Sequence, residues 1–448
     1  MVLALAVAVC GGCVASGGRN EPVPPDDRHV SLSSPESLAA AFEDAAASGA
    51  LGPEKCRALA GDFQRWFERT GDPKMAFNAG VVWERCGEDE SAARAYHDAA
   101  STQAGFAAAH NNLGALAYRE DRVDDAIRHY QDALRVDVYA LSPRHNLAHA
   151  YRERYLNLGS LDAFAKAERQ LQAVLAIESD NVRAYEGLAR LYYDRAHAGD
   201  RSYGLLARVV ITQGQRILDE QGRASAELWN LRGLLAVLHE EPSRALRAFE
   251  KAIEADPEHL DARLNAALID LRLRNFSAAD EHLVVASKLA DGERALETAL
   301  ARGVAKRGRG DYAAAEAAYA KAHQFGPSDP RAHYNLGILY QEHLAPNVDS
   351  AGLREVDLAK RHFERFIESA AGQTQHAATV AEAKHRIANI DEYVDVVQVG
   401  RKVEAEALRL EVLERQAREA RRLELLELER KAQDALDAAG STGNSETP

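Results

Sequence analysis

AAAHNNLGALAYREDRVDDAIRHYQDAL, residues 107–134, holds two apolar stripes at helical spacing, separated by a short charged turn. With Ala107 as position 1, Gly114 falls at position 8, Ala126 at 20, Tyr130 at 24 and Ala133 at 27. The same frame recurs from residues 73, 107, 141, 182, 226, 260, 296 and 330. Position 8 is small in every copy: Gly80, Gly114, Ala148, Ala189, Gly233, Ala267, Gly303 and Gly337. Position 20 is Ala throughout, at 92, 126, 167, 207, 245, 279, 315 and 359. Position 24 is large and apolar: Tyr96, Tyr130, Leu171, Ile211, Phe249, Leu283, Tyr319 and Phe363.

Small residues at positions 8 and 20 let the two helices of a hairpin approach closely, and the large residue at 24 is expected to fill the gap to the next hairpin. Copies starting at 73, 107, 226, 260 and 296 keep this interval without a gap, whereas the other three need insertions of about 7, 6 and 10 residues between their helices. Pro257 and Pro327, both at position 32, stop the second helix. The pattern resembles the tetratricopeptide repeat, a helix–turn–helix of about 34 residues. That resemblance implies an all-α superhelical solenoid of about eight hairpins over residues 73–367, because no hairpin buries its apolar faces alone. A generic Ala-rich helical bundle is the competing reading.

Composition agrees with helices. Of 448 residues 46% are hydrophobic but only 6% aromatic, which suits Ala/Leu packing better than a β-sandwich. A formal charge of −14 repels phosphate backbones and argues against nucleic-acid binding. Beyond the first residues no apolar run approaches the roughly 18 residues of a membrane span.

MVLALAVAV (1–9) is apolar throughout, and Gly11, Gly12 and Cys13 follow. A short apolar run ending in small residues before a cysteine resembles a signal peptide (1–13) with a bacterial lipobox, in which Cys13 is lipidated. Cys10 stands where Leu or Val is usual, and no basic residue precedes the run. The rival reading, a redox or zinc C-x-x-C, needs a packed helix start or a second ligand pair. The chain instead continues as VASGGRNEPVPPDD, the start of a Gly/Pro-rich tether over 14–34. Val14 rather than Asp after the acylated cysteine resembles an outer-membrane address.

Residues 35–72 are expected to form an N-terminal cap of two helices, opened by Pro35 and Pro53 with Ser33 or Ser34 as cap. In an oxidising periplasm Cys56 and Cys86 can pair and staple this cap to the first repeat. Two unconnected small core residues remain the alternative. After the repeats, 368–400 reads as a C-terminal capping helix, 401–439 as a separate charged helix and 440–448 as a disordered tail. The charged helix holds nine basic and ten acidic residues and no Gly or Pro. Its apolar positions 403, 407, 410, 417 and 420 keep heptad-like steps before the stripe shifts phase to 425, 428, 432, 435 and 439. A coiled coil and a solvated single helix both fit.

No P-loop, G-x-G-x-x-G, H-E-x-x-H or G-x-S-x-G occurs, so no catalytic residue, cofactor or small-molecule substrate is expected. Sixteen scattered histidines offer no convincing metal set, and RGD at 309–311 reads as a hairpin turn. The remaining candidate is a peptide-binding groove along the first helices. Position 6 is Asn at 78, 112, 146, 265 and 335, and a carboxamide that donates and accepts can clamp an extended peptide. Tyr118, His145, His149 and Arg152 are expected near the same face, and Arg331 and Tyr334 beside Asn335. Asn is also simply common at this position of the repeat.

Lipobox, tether, hairpins and charged tail, with the WERCG stretch at 83–87, together resemble the tetratricopeptide outer-membrane lipoproteins of myxobacteria, including that of the gliding-motility envelope complex. The resemblance implies a non-catalytic scaffold, lipid-anchored at the periplasmic face of the outer membrane. Its partners would be outer-membrane barrels and periplasmic motility or secretion components, with membrane contact through the anchor only. A pilotin-like assembly factor for a secretin or pilus barrel is the alternative, followed by an accessory scaffold for cell-wall or polysaccharide enzymes.

Overall fold

The computed structural model describes residues 34–102, 105–347 and 353–441. The expected signal peptide ending in Cys13, most of the tether and the tail beyond 441 lie outside the described residues. Among the described residues there is no strand, and no helix is long and apolar enough to cross a membrane. The chain divides into two compact units after Ala262.

The first unit opens with α1 (Pro35–Ala47) and α2 (Pro53–Thr70). Five hairpins follow: α3 (Pro73–Arg85) with α4 (Asp89–Ala100), α5 (Ala107–Arg119) with α6 (Val123–Val136), α7 (Leu141–Leu158) with α8 (Leu161–Ile177), α9 (Val182–His197) with α10 (Ser202–Glu220), and α11 (Ala226–Leu238) with α12 (Pro242–Ala255). The boundary falls in the first turn of α13 (Leu260–Arg272), and the second unit continues with α14 (Phe276–Leu289), then α15 (Gly292–Gly308) with α16 (Tyr312–Phe325). It continues through α17 (Arg331–Leu339) and α18 (Leu353–Ser369) to the long helix α19 (Ala377–Ser441).

Local chemistry sets these boundaries. Pro35, Pro53, Pro73 and Pro242 occupy first turns, where their missing N–H costs nothing. The side chains of Ser34, Asp72, Ser160, Asn181 and Ser225 accept from N–H groups of the first turn of their helices. Helices α12 and α16 end two residues before Pro257 and Pro327. Two of the three insertions are absorbed by helix lengthening: α7 and α8 reach 18 and 17 residues, α9 and α10 reach 16 and 19. In the last hairpin, α17 widens into a π-helical turn over Tyr340–Leu344.

Contacts at positions 8 and 24 correct one expectation. The ring at 24 lies on the glycine of its own hairpin: Tyr96 on Gly80, Tyr130 on Gly114, Phe249 on Gly233, Tyr319 on Gly303 and Phe363 on Gly337. A Cβ at Gly80 or Gly114 would sit 2.5 Å from the ring, which no real contact tolerates. Leu171, by contrast, reaches across to Gly187 of the next hairpin. Where position 8 is Ala, position 24 is Leu or Ile, which leaves the extra methyl its room.

In the cap, Leu38, Leu59, Ala60 and Phe63 pack with Met75, Ala79 and Val82 of α3. A disulfide joins Cys56 of α2 to Cys86 at the end of α3, with Cα atoms 6.3 Å apart. At the other terminus the division expected at 400 is absent, because α19 runs unbroken for 65 residues. Its first turns bury Ala383 and Ile390 beside Phe363 and Phe366 of α18. From 398 to 437 every side chain is exposed.

Candidate functional site

In the first unit, the first helices of successive hairpins are tied by polar links whose partners stand about one repeat apart. Arg119 of α5 donates to Glu84 of α3 at 2.6 Å and to Asp89 at 3.1 Å. The Tyr118 hydroxyl donates to Glu153 of α7, and the Asn146 amide of α7 donates back to Asn111 of α5 at 2.9 Å. Asn111 in turn donates to Asn112 at 3.3 Å. Arg152 of α7 donates to Asp194 of α9 at 2.5 Å. Arg190 of α9 reaches Glu227 of α11 at 2.9 Å, and the Ser225 hydroxyl donates to Glu186 at 2.6 Å. His259 Nε2 lies 3.5 Å from Glu227.

These links have electrostatic signatures. Burial opposes the charge on Glu227, yet His259 and Arg190 hold its carboxyl below the usual range. Burial likewise opposes charge on His259, but Glu227 holds its pKa above the ordinary histidine value. Glu186 has no cation bonded to it, and burial pushes its pKa up although Ser225 pulls the other way. Apart from Glu186, the charges of the ladder are compensated within the chain, as buried charge requires.

Tyr118, Asn146 and Arg152 are thus engaged in joining repeats, and His149 turns its ring edge to Tyr118 at 5.3 Å between centroids. Asn112 accepts from Asn111, and Asn78 stands half-buried on α3. His145 is half-buried on α7 with an unpartnered Nε2, and burial beside Arg183 pulls its pKa down to about 4. Asn265, Arg331, Tyr334 and Asn335 belong to the second unit. Arg331 forks onto Asp329 at 2.8 and 3.1 Å, and Asn335 donates to the Arg331 carbonyl at 2.9 Å. Tyr334 packs on Phe363 and Phe366. Three of the expected groove residues, Tyr118, Asn146 and Arg152, therefore join one repeat to the next through their polar groups.

Sequence reasoning missed the partners Glu84, Asn111, Glu153, Asp194 and Glu227. Their signal was opposite charge or matched amides at about the repeat interval, a spacing that no local helix rule examines. It also missed a basic cleft of about 540 Å³ between α10, α11 and α12. Arg208, Arg232, Arg244, Arg247 and Lys251 line this cleft, with Arg232 and Lys251 over the Trp229 ring at 5.3 and 5.1 Å. One cluster of possible ligands was also not foreseen. His110 of α5 and His129 and Asp132 of α6 each bring one ligand atom within 4.8 Å of the others.

Residues 303–343 match the family model of the TPR repeat. No curated protein matches the chain. Among solved structures the chain is similar to a tetratricopeptide repeat protein from Parabacteroides merdae, at 16% identity and TM-score 0.44, covering 60% of this chain and 98% of that one. It is also similar to PilF of Pseudomonas aeruginosa, at 15% identity and TM-score 0.40, covering 54% of this chain and 97% of that one. A third is PilW, described as a widely conserved type IV pilus biogenesis factor, at 15% identity and TM-score 0.38, covering 49% and 94%. In fold the chain is an all-α tetratricopeptide-repeat solenoid.

Proposed function

We propose that this tetratricopeptide-repeat chain is a non-catalytic scaffold of the cell envelope that docks protein partners through its C-terminal helix. The observation that carries the reading is the exposed apolar seam of α19. Val396, Val399, Val403, Leu410 and Leu413 follow one another at steps of three, four or seven residues and are 51–65% exposed. A solvated helix has no use for such a seam, whereas a partner helix packs into it. The ladder of the first unit argues the same way, since its polar groups are already occupied within the chain.

The lipobox reading of Cys13 and the Cys56–Cys86 disulfide both support an oxidising compartment outside the cytoplasm. We therefore assign the chain to the periplasmic face of the outer membrane, held by a lipid on Cys13, within a multiprotein machine such as that of gliding motility. Cross-linked membranes should yield outer-membrane barrels and periplasmic proteins with the full chain. A chain lacking 401–448 should lose them, and Cys13→Ala should leave the outer-membrane fraction. Recovery of a secretin would replace the motility assignment by the assembly-factor reading. Unchanged recovery without 401–448 would overturn docking through α19.

A further inference from the structure

The second hairpin carries a group of side chains that neither the repeat nor the ladder uses. His110 projects from α5, and His129 and Asp132 project from α6 three residues apart, which places them on one face of that helix. One ligand atom of each lies within 4.8 Å of the other two. The Nδ1 atoms of both histidines are buried and have no hydrogen-bond partner. Two orphaned imidazole nitrogens in one spot are an anomaly, because buried polar atoms are nearly always paired.

We propose that His110, His129 and Asp132 form a binding site for a divalent transition metal, with zinc as the ion it suits. The donor chemistry points to this class. Two imidazoles and one carboxylate match the borderline preference of zinc, whereas calcium and magnesium take oxygen ligands. A tetrahedral centre needs donor atoms about 3.3 Å apart, given bonds of about 2.0–2.1 Å. Side-chain rotation supplies that contraction, and a fourth position is left to water. Arg135, on the next turn, pairs with Asp132 and is 78% exposed, so it can swing into solvent as the ion enters. The other charged or titratable neighbours are Arg128 and Asp125 of α6 and His97 of α4. Bound metal would tie α5 to α6 within the hairpin.

The test uses the full chain without a histidine tag and with Cys10→Ser and Cys13→Ser, so that those thiols cannot compete. Zinc binding is followed by calorimetric titration, with the melting temperature recorded with and without zinc. One equivalent should bind and raise the melting temperature. His110→Asn, His129→Asn and Asp132→Asn should each weaken that equivalent by at least about tenfold, the lower end of what losing even an outer hydrogen-bond partner of a metal ligand costs. Far-UV circular dichroism confirms that each variant keeps its helices, and Asp132→Asn, at a side chain 30% exposed, is the mildest of the three. Cobalt(II) in place of zinc should give visible bands that vanish in the same variants. A His333→Gln/His362→Gln chain should bind as the parent does. Absence of binding in the parent, or undiminished binding in all three site variants, would overturn the proposal. So would loss confined to the His333/His362 variant.

Discussion

At the scale of single residues, the contact between positions 8 and 24 governs how closely two helices approach. Gly303 accepts the Tyr319 ring because it has no Cβ, while the hairpin with Ala267 at position 8 carries the slimmer Leu283 at position 24. Gly303→Val should therefore cost about 1–3 kcal/mol by overpacking, read as a fall in the urea midpoint. A double-mutant cycle tests the pairing itself: Leu283→Phe should destabilise alone and be rescued in part by Ala267→Gly. Position 15 of the five ungapped copies supplies a second example. Gly87, Asp121, Glu240, Arg274 and Gly310 all have positive φ, between 59° and 79°. The left-handed conformation costs an L-residue about 1–2 kcal/mol, partly offset by glycine's greater unfolded entropy. Glu240→Gly should therefore stabilise the chain by about 0.5–1 kcal/mol in the same urea assay.

At the scale of elements, the Cys56–Cys86 bond and the buried histidines define how conditions act on the fold. The disulfide closes a loop of 30 residues between α2 and α3. Cys86→Ser should cost about 3–4 kcal/mol on the loop-entropy account, with α1–α4 becoming the first segment to exchange amide hydrogens. The second unit brings His323 against His333 and His333 against His362 with tilted rings, at 4.7 and 5.3 Å between centroids. Burial pulls His362 down to about 4, helped by repulsion from His333, Arg365 and His323, and it pulls His145 of the first unit to a similar value. Both folded values lie below the unfolded one of about 6.5, so the unfolded chain binds the proton first as pH falls. The stability they confer is present above about pH 6.5 and is lost toward pH 4. Each should contribute about 2 kcal/mol less at about pH 5 than at about pH 7.5, and His362→Gln should flatten that slope. His259 acts in the opposite sense: its raised pKa adds stability below pH 6.5 that is lost as pH rises.

For the whole molecule, α19 separates stability from association. Its buried residues, Ala383 and Ile390, lie in the first turns, and the side chains from 398 to 437 are all exposed. Removing 401–448 should leave the thermal unfolding of the hairpins within about 0.5 kcal/mol, as for surface changes that touch no core. Loss of partner binding without loss of stability is the signature expected. If the truncated chain melted earlier instead, α19 would be a brace rather than an interface.

The eight-fold frame was legible from one sequence because close helix packing demands small residues at fixed intervals, and Ala at position 20 leaves a trace in every copy. Cap prolines and the turn at RGD 309–311 followed from the same local rules. The candidate site was much less legible. Asn146 looks like a peptide clamp in sequence and is a rung to Asn111 in the structure. The direction of a polar side chain depends on the neighbour one repeat away, which no local pattern encodes. The meeting of His110 with His129 and Asp132, and the unbroken run of α19 through 400, were likewise decided by tertiary packing. Apolar periodicity is a property of the chain itself, whereas the pairing of polar groups exists only after the hairpins stack.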